Sequence, residues 1–451
     1  MDLEEPHLSG LGQNPAAPTD VGVRLAAHEA GRHGLTLRPG PWPDAVAEAL
    51  LTHGGRCSAV LLHGSRVSPA MRRRIAEHPD PAIRDAHADH VRDLVATGTA
   101  RNLPDLVEAY GLPPAELAAA SDPRLRAVVA VTWQDRPAAV QSALLDDPDP
   151  RVRAAATRDQ HPGVPPEDHD RCLADPAVRA NLARHVPLTP DRFARLSATG
   201  DPDVLHALAH NPHLTADMAA RLQDSEDPVV RVAVAYSRHV RPETRDRLLA
   251  LVEAEEEAGS IEAEIALSWF HEPDWLRDAP PAERLTYLDC PHPAFRRVLA
   301  TCRDLPDAAW RRLDDDPDVR VRHTAARRPD APPEVLLRHV RDDGDFHHAG
   351  PLTTDHPNFP RRALRGFLDE ADPWLRALAL RDPDLPVPGL WRLAACEESF
   401  LRSGVARHPK VTADLLDALL ADPEPGVAHA AAASPALPRS RMDRILAEAG
   451  L

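Results

Sequence analysis

The stretch that determines the fold runs from residue 149 to residue 231 and reads DPRVRAAATRDQHPGVPPEDHDRCLADPAVRANLARHVPLTPDRFARLSATGDPDVLHALAHNPHLTADMAARLQDSEDPVVR. A five-residue pattern, Asp-Pro-any-aliphatic-Arg, recurs along it. Its fifth positions are Arg153, Arg179, Leu205 and Arg231, each 26 residues after the one before. Self-similarity at a fixed period of about 20–50 residues is typical of repeat proteins. The sequence therefore predicts a stack of repeats.

The same pattern covers most of the chain. Complete copies lie at 80–84, 122–126, 149–153, 175–179, 227–231, 316–320 and 372–376, and degenerate copies end at Leu205, Arg296, Arg402 and Ala428. The interval from Arg126 to Arg153 is 27 residues, and Arg376, Arg402 and Ala428 are again 26 apart. This regular spacing makes one repeated unit the basis of the fold.

Each position of the pattern has a physical reason. Aspartate is a preferred helix N-cap, proline suits the first helical position, and the aliphatic residue can point into the stack. A second helix start follows in several repeats at Thr189, Thr215 and Thr412, each with a leucine seven residues later at Leu196, Leu222 and Leu419. Each unit of about 26 residues is thus predicted to hold two short helical segments.

Composition agrees with short helices. The chain has 451 residues, 48 prolines, only 21 glycines and 17 aromatic residues, counted as 7 Trp, 3 Tyr and 7 Phe. A length of about three typical domains excludes one globular core, and proline used as regular punctuation disfavours a sandwich or barrel.

The period and the Asp-Pro-x-Val-Arg and Asn-Pro-x-Leu elements resemble the leucine-rich repeat variant family, relatives of HEAT-like α-solenoid proteins. The resemblance implies an all-α, right-handed superhelical α-solenoid whose repeats pair an α-helix with a second α or 3₁₀ segment. It is clearest over 68–250 and 285–445. One member of that family carries an N-terminal iron–sulfur cluster, but this chain has no clustered cysteines, so the cluster is not expected here.

Four segments are expected. Residues 1–67 would form degenerate repeats or a cap, 68–250 repeats, 251–284 an irregular insertion, and 285–451 repeats with a C-terminal cap. The insertion is inferred because the interval from Arg231 to Arg296 is two periods plus 13 residues. The interval from Arg320 to Arg376 is also irregular and contains DDGDFHHAGPLTTDHP at 342–357.

Charge and residue types disfavour several functions. The net charge is −17, which opposes the overall basic field that phosphate backbones require. Lys410 is the only lysine and does not lie in a P-loop motif, which excludes that nucleotide site. No Gly-x-Ser-x-Gly elbow is present.

Metal and cofactor sites are not predicted. The five cysteines are scattered without a Cys-x-x-Cys pair, and His28 and His33 are five residues apart instead of the four that place two ligands on one helix face. The densest ligand set is Asp345, His347, His348 and His356, for which a solvated surface is the favoured interpretation. We predict no catalytic residue, no cofactor and no metal. The acidic N-terminus and the absence of long apolar runs predict a cytoplasmic protein without a membrane span.

Insertions in repeat arrays often form the binding face. The candidate partner-binding residues are therefore Trp269, Phe270, His271, Trp275, His347 and His348. The alternative for the aromatic residues is core packing of a longer helix. The acidic run at Glu253, Glu255, Glu256 and Glu257 is either a solvated helix face or a contact for a basic partner.

The repeated arginines also allow two interpretations. Arg84, Arg126, Arg153, Arg179, Arg231, Arg320 and Arg376 could form a stripe that binds phosphates or an acidic peptide. The favoured interpretation is a structural ladder of Asp–Arg pairs between repeats. We accordingly expect a non-enzymatic scaffold that binds a protein or peptide, which could be basic. The alternative is a HEAT-like enzyme or nucleic-acid-modifying protein with the architecture of some DNA glycosylases.

Overall fold

The computed structural model describes residues 3–62, 66–158, 162–268, 272–345 and 352–451, and this part of the chain is helical without a strand. The first helices are α1 Glu4–Gln13, α2 Thr19–Leu25, α3 Glu29–Leu37, α4 Asp44–Ala59, α5 Pro69–Ala76, α6 Pro81–Arg84, α7 Ala86–Ala96, α8 Leu103–Tyr110, α9 Pro114–Leu117, α10 Pro123–Thr132, α11 Ala138–Leu145 and α12 Pro150–Thr157. Next come α13 His169–Ala174, α14 Arg179–Ala183, α15 Pro190–Ser197, α16 Pro202–Ala209, α17 Ala216–Leu222, α18 Pro228–Ala235, α19 Pro242–Glu257, α20 Ile261–Ser268, α21 Pro281–Leu285, α22 Pro293–Leu299, α23 Asp307–Asp314 and α24 Val319–Ala326.

The chain ends with α25 Pro333–Asp343, α26 Pro373–Ala377, α27 Val387–Ala394, α28 Ser399–Ala406, α29 Ala413–Leu420, α30 Pro425–Ala432 and α31 Arg439–Glu448. Short 3₁₀ helices lie at Pro166–Asp168, Asp274–Arg277, Thr353–Asp355, Arg361–Asp369 and Leu378–Arg381. The predicted all-α repeat fold of α-solenoid type is confirmed. No helix in the described ranges is both long and apolar enough to cross a bilayer.

The chain divides into two compact units. One comprises residues 1–90 and 329–451, and the other comprises residues 91–328. In the second unit, successive Asp-Pro helices pack side by side, as α10 does on α12 and α16 on α18. Leucine, valine and alanine fill the layer between them, including Val204, Leu208 and Val230, each fully buried.

The predicted caps are confirmed in most motifs, but not in the copy at 175–179, where α14 begins only at Arg179 and its N-cap is Val178. The carboxylates of the Asp-Pro motifs accept a hydrogen bond from the backbone N–H two residues later, as Asp122 does from Arg124 at 2.9 Å and Asp227 does from Val229 at 2.8 Å. Thr189 accepts from the N–H of Arg192 at 3.2 Å. These bonds satisfy N–H groups that have no partner inside the helix.

The predicted Asp–Arg ladder is confirmed at Arg126, Arg153 and Arg231, and the degenerate copies of the motif that end at Arg296 and Arg402 form the same contact. The pairs join an arginine to a carboxylate 20 to 24 residues later: Arg126–Asp147, Arg153–Asp175, Arg231–Glu255, Arg296–Asp316 and Arg402–Asp422. The same arginines reach back to backbone carbonyls five and six residues earlier. Arg126, for example, donates to the oxygens of Ala120 at 2.7 Å and Ser121 at 3.1 Å. The ladder thus joins one repeat to the next, and these guanidinium groups are not available as a phosphate-binding stripe.

Hydrogen bonds from the ladder hold the pKa of Asp147 and of Asp175 below the ordinary aspartate value, because Arg126 and Arg153 stabilise the ionised carboxylates. Both carboxylates are therefore charged at neutral pH, which makes each ladder contact a charge-assisted pair.

The predicted ladder position at Arg320 is wrong by two residues. Asp318, and not Asp316, caps α24 by accepting from the N–H of Arg320, and it is Arg322 that donates to the carbonyl of Asp316 at 2.6 Å. Arg320 itself is exposed. The motif in this repeat is thus displaced to residues 318–322, which leaves Asp316 to accept from Arg296.

Three other predicted ladder positions lack the acidic partner. Arg179 donates to the carbonyls of Leu173 and Ala174, Arg84 donates to the carbonyl of His78, and Arg376 donates to the carbonyls of Glu370 and Ala371. Among the described residues none of these three forms an ion pair with a carboxylate in the next repeat. These three arginines therefore keep the hydrogen bonds to backbone carbonyls of the ladder contact, although the carboxylate of the next repeat is missing.

A second inter-repeat contact comes from the Asn-Pro turns. The side-chain amide of Asn211 donates to the carbonyl of Ala183 at 2.7 Å and to that of Val186 at 2.8 Å, in the repeat before it. His408 takes the same role by donating to the carbonyl of Asp382 at 2.9 Å. These donors satisfy buried carbonyls, which would otherwise destabilise the stack.

In the first unit, the N-terminal helices use this contact to pack on the C-terminal ones. Asn14 is fully buried and its amide donates to the carbonyl of Ala432 at 3.2 Å and to that of Ser434 at 2.6 Å. A Cβ added at Gly10 would lie 2.3 Å from the carbonyl oxygen of His429, so only glycine permits α1 to lie this close to α30. The first repeat of the chain thus stacks on the last as one repeat stacks on its neighbour.

One ladder contact contains a thiol where the others have a carboxylate. Arg376 donates to Sγ of Cys396 at 3.3 Å, 20 residues later, the same interval that separates Arg402 from Asp422. We expect Cys396→Asp to stabilise the protein by about 1 kcal/mol, because the carboxylate would supply a charge-assisted bond. A higher urea midpoint than in the unaltered protein checks this. Cys396→Ser is the control, and a midpoint for the serine variant equal to that of the aspartate variant would contradict the prediction.

Candidate partner-binding surface

Most of the residues predicted to bind a partner lie outside the described part of the chain. These are Trp269, Phe270 and His271 in the first irregular segment and His347 and His348 in the second. Their role as partner-binding residues stays a prediction.

Trp275 lies within the described residues and is packed against the core. Its indole N–H donates to the carbonyl of Tyr236 at 2.8 Å, and its ring meets Tyr287 edge-on at 5.7 Å between centroids. Both rings border a buried cluster that includes Phe295. This arrangement supports the packing alternative for Trp275, and we do not include it in the candidate surface.

The acidic run on α19 is divided between two roles. Glu255 forms an ion pair with the ladder residue Arg231, whereas Glu253, Glu256 and Glu257 are exposed. The acidic run is therefore mainly a solvated helix face, and of its described carboxylates only that of Glu255 takes part in a contact between repeats.

Two of the four residues in the densest potential ligand set, Asp345 and His356, are described, and both have structural contacts. The buried carboxylate of Asp345 accepts from the backbone N–H of Thr354 at 3.2 Å and lies 3.7 Å from Arg381. His356 accepts from the N–H of Asn358 through Nδ1. In the ranges that the structure describes, no group of three or more metal-ligating side chains comes together.

Sequence reasoning missed a stacked aromatic pair at the surface of two ordinary repeats, in which Trp374 is exposed and Phe400 is partly buried. Trp374 and Phe400 stack with their ring centroids 4.4 Å apart and their planes 13° apart. Trp374 remains 56% exposed, which is unusual for a large apolar side chain. The pair lies on α26 and α28, and each residue is the second after the N-cap, in DPWLR and in ESFLR.

The next repeat has a glycine at the same position. Gly426 follows Phe400 by 26 residues and lies second after the N-cap Glu424 of α30. A Cβ placed on Gly426 would meet no atom within 4 Å. We call Trp374, Phe400 and Gly426 the aromatic ridge, which consists of two stacked rings followed by an open position.

Carboxylates surround the aromatic ridge. Each N-cap that precedes a ridge residue is acidic, and further acidic residues flank them: Glu370, Asp372, Glu397, Glu398 and Glu424. None of these five side chains forms an ion pair with another described residue.

In the described part of the chain, the arginines closest in sequence form no ion pair with these five acidic side chains, because their guanidinium groups are bonded into the repeat junctions. Arg376 donates to backbone carbonyls. Arg402 makes two hydrogen bonds to Asp422, at 2.7 and 3.0 Å, and the bond to this carboxylate raises the pKa of Arg402. The ridge is therefore an exposed apolar surface in an acidic surround, suited to cationic side chains that can lie on a ring face.

The sequence contains a signal for this surface. At the second position after the N-cap, other repeats have polar or small residues such as Arg124, Arg151 and Asp203. A tryptophan and a phenylalanine at this position, 26 residues apart, predict adjacent rings in neighbouring repeats. Attention to the irregular segments, where aromatic residues also concentrate, concealed this pattern.

Comparison with known proteins adds little to this description. No family model matches the chain, and no curated protein matches it. Its resemblance to the leucine-rich repeat variant family accordingly stays a prediction. One solved structure, the crystal structure of an engineered protein, aligns over 96% of this chain and 98% of its own with 15% identity, at a TM-score of 0.17. That score is too low to support an argument about fold or function.

Proposed function

We propose that the protein is a non-enzymatic scaffold that binds a basic segment of a partner protein on the aromatic ridge. The observation that carries the proposal is the stacked pair Trp374–Phe400, in which Trp374 is 56% exposed and Phe400 is partly buried, with five carboxylates close in sequence that form no ion pair in the described residues. Tryptophan is among the residues that most often dominate binding energy at protein interfaces.

The charges favour a basic protein over a nucleic acid. Carboxylates beside the rings would repel phosphates, and the whole chain has a net charge of −17. A basic segment would instead be attracted over a distance of about 10 Å at moderate salt and would associate faster as salt is lowered. Because the rings lie on helices held by the ladder, little conformational entropy is lost when they bind.

The proposal predicts which peptides bind and which variants fail to bind them. From a random dodecapeptide library, the unaltered protein should recover peptides rich in arginine and lysine. Trp374→Ala should weaken their binding by roughly 30-fold, since truncating an anchor residue costs about 2 kcal/mol. Fluorescence anisotropy with labelled peptides gives the affinities.

Trp391→Ala is the matched control, because Trp391 is also exposed, at 42%, but lies on α27 and not on an Asp-Pro helix. It should leave the affinities unchanged. Recovery of acidic or uncharged peptides, or equal affinities for the Trp374→Ala variant and the unaltered protein, would overturn the proposal. Tighter binding of a duplex DNA probe than of the peptides would favour the nucleic-acid alternative.

A further inference from the structure

We propose that the open position at Gly426 is a binding site for one arginine of the partner, whose guanidinium stacks on Phe400 and pairs with Glu398 and Glu424. This inference rests on the proposed function and specifies which side chain the aromatic ridge recognises. The two rings of the aromatic ridge are stacked on each other, and at the third ridge position, Gly426, the protein supplies no side chain that could continue the row of rings.

The geometry of the ridge defines the site. Trp374 comes from the preceding repeat and covers one face of the Phe400 ring, with the planes only 13° apart. Helix α28, which carries Phe400, packs on α30 in the following repeat, and the residue equivalent to Phe400 there is Gly426. Because a Cβ on Gly426 would have no neighbour within 4 Å, a planar group can enter beside Phe400 without displacing protein atoms.

The chain itself shows how a guanidinium is held at this position. In three repeats of the other unit the residue at the same place is arginine: Arg124, Arg151 and Arg320. Two of these guanidinium groups pair with the N-cap of their own helix. Arg151 binds its own N-cap Asp149 through Nε at 3.1 Å and Nη2 at 2.7 Å, and Arg124 binds its N-cap Asp122 through Nε at 3.3 Å. At the ridge the N-caps Glu398 and Glu424 are present without such an arginine. An arginine supplied by the partner would complete the same pairing.

Arginine fits this site better than lysine. Its guanidinium is planar, stacks on aromatic faces and donates in a fork to carboxylates, whereas a lysine ammonium is a compact and strongly hydrated point charge. Stacking on a ring and pairing with an acid at the same time requires the planar group. The site is therefore expected to discriminate arginine from lysine at equal charge.

The test uses N-acetyl-arginine amide as the probe and fluorine NMR as the readout. Protein labelled with 4-fluorophenylalanine has seven signals, one for each phenylalanine, and the Phe400→Leu variant identifies the signal of Phe400. We expect this signal to shift saturably with N-acetyl-arginine amide and several-fold less with N-acetyl-lysine amide at the same ionic strength.

Two substitutions of Gly426 distinguish binding at this site from nonspecific effects of the probe on the Phe400 signal. Gly426→Trp fills the position, so the shift should be lost, whereas Gly426→Ala leaves it open, so the shift should be kept. Neither substitution meets a neighbouring atom at its Cβ, and equal melting temperatures verify that both variants fold. A shift that persists in the Gly426→Trp variant, an equal shift with the lysine compound, or no shift in the unaltered protein would overturn the inference.

Binding of the peptides recovered from the library shows whether the arginine site or the proposed scaffold function is wrong. If peptides bind through Trp374 but bind the Gly426→Trp variant equally well, the arginine site is wrong and the scaffold proposal stands. If N-acetyl-arginine amide shifts the Phe400 signal but no peptide depends on Trp374, the arginine site stands and the scaffold proposal is wrong.

Discussion

Replacing Arg296 with alanine is expected to destabilise the protein by about 3–5 kcal/mol, the usual cost of removing one partner from a buried ion pair. Arg296 donates to the carboxylate of Asp316 at 2.7 and 3.0 Å, to the carbonyl of Cys290 and to that of Pro291 at 3.0 Å. Its side chain is 9% exposed and that of Asp316 is 5% exposed. The variant would leave a buried carboxylate without its cation and two carbonyls without a donor. We expect a large fall in the urea midpoint, measured by circular dichroism.

Arg320→Ala is the matched control, because it removes the same side chain from a neighbouring repeat. Arg320 is exposed and its guanidinium makes no ion pair with another described residue, so its loss should change stability by less than about 0.5 kcal/mol. Similar urea midpoints for the two variants would contradict the ladder and the displaced register of this repeat.

The register at Arg320 shows where sequence reasoning stops. The segment DDDPDVRVR contains two overlapping matches, at 316–320 with proline and at 318–322 without it. Local preferences favour the first, since proline suits a helix start. The stack selects the second, because it buries Val321 completely while Val319 stays 45% exposed, and because Asp316 must then accept from Arg296. A contact with another repeat, invisible to a local pattern, overrides the capping preference.

The caps, by contrast, were predictable because they depend on neighbours in sequence. Asp122, Asp227 and Thr189 each bond an N–H two or three residues away, so the motif alone is sufficient. The aromatic ridge was predictable in principle, since residues at the same motif position lie next to each other in neighbouring repeats. Its use of Trp374 and Phe400 was missed because unusual composition drew attention to other segments.

The contact between the two ends of the chain could not be predicted from the sequence. The motif NPAAPTD at 14–20 indicates an Asn-Pro turn, and the turn is formed, with Asn14 accepting from the N–H of Ala16 at 2.8 Å. Nothing local shows that the carbonyls opposite its amide belong to Ala432 and Ser434. Which repeat a turn packs against depends on the path of the whole chain within the unit.

That contact gives the second large effect, for which we expect Asn14→Asp to cost about 3 kcal/mol or more at neutral pH. The amide that donates to the carbonyls of Ala432 and Ser434 would be replaced by a carboxylate facing two acceptors in a fully buried site. Urea midpoints give the loss, and faster hydrogen exchange in α1 and α30 would locate it at this contact.

The effect should depend on pH, and its sign follows from the burial of the introduced carboxyl. Desolvation and the facing carbonyls raise its folded pKa above the unfolded value of about 3.9, so the variant favours the protonated form when folded. The deficit is then complete above the folded pKa and shrinks as the pH falls through it, because a protonated carboxyl can donate to one carbonyl. Asn102→Asp makes the same chemical change at an exposed N-cap, where aspartate is as good a cap as asparagine, and should leave stability nearly unchanged at both pH values. Equal midpoints for the Asn14→Asp and Asn102→Asp variants at neutral pH would show that the N-terminal repeat does not depend on the amide of Asn14 for its place on the C-terminal repeat.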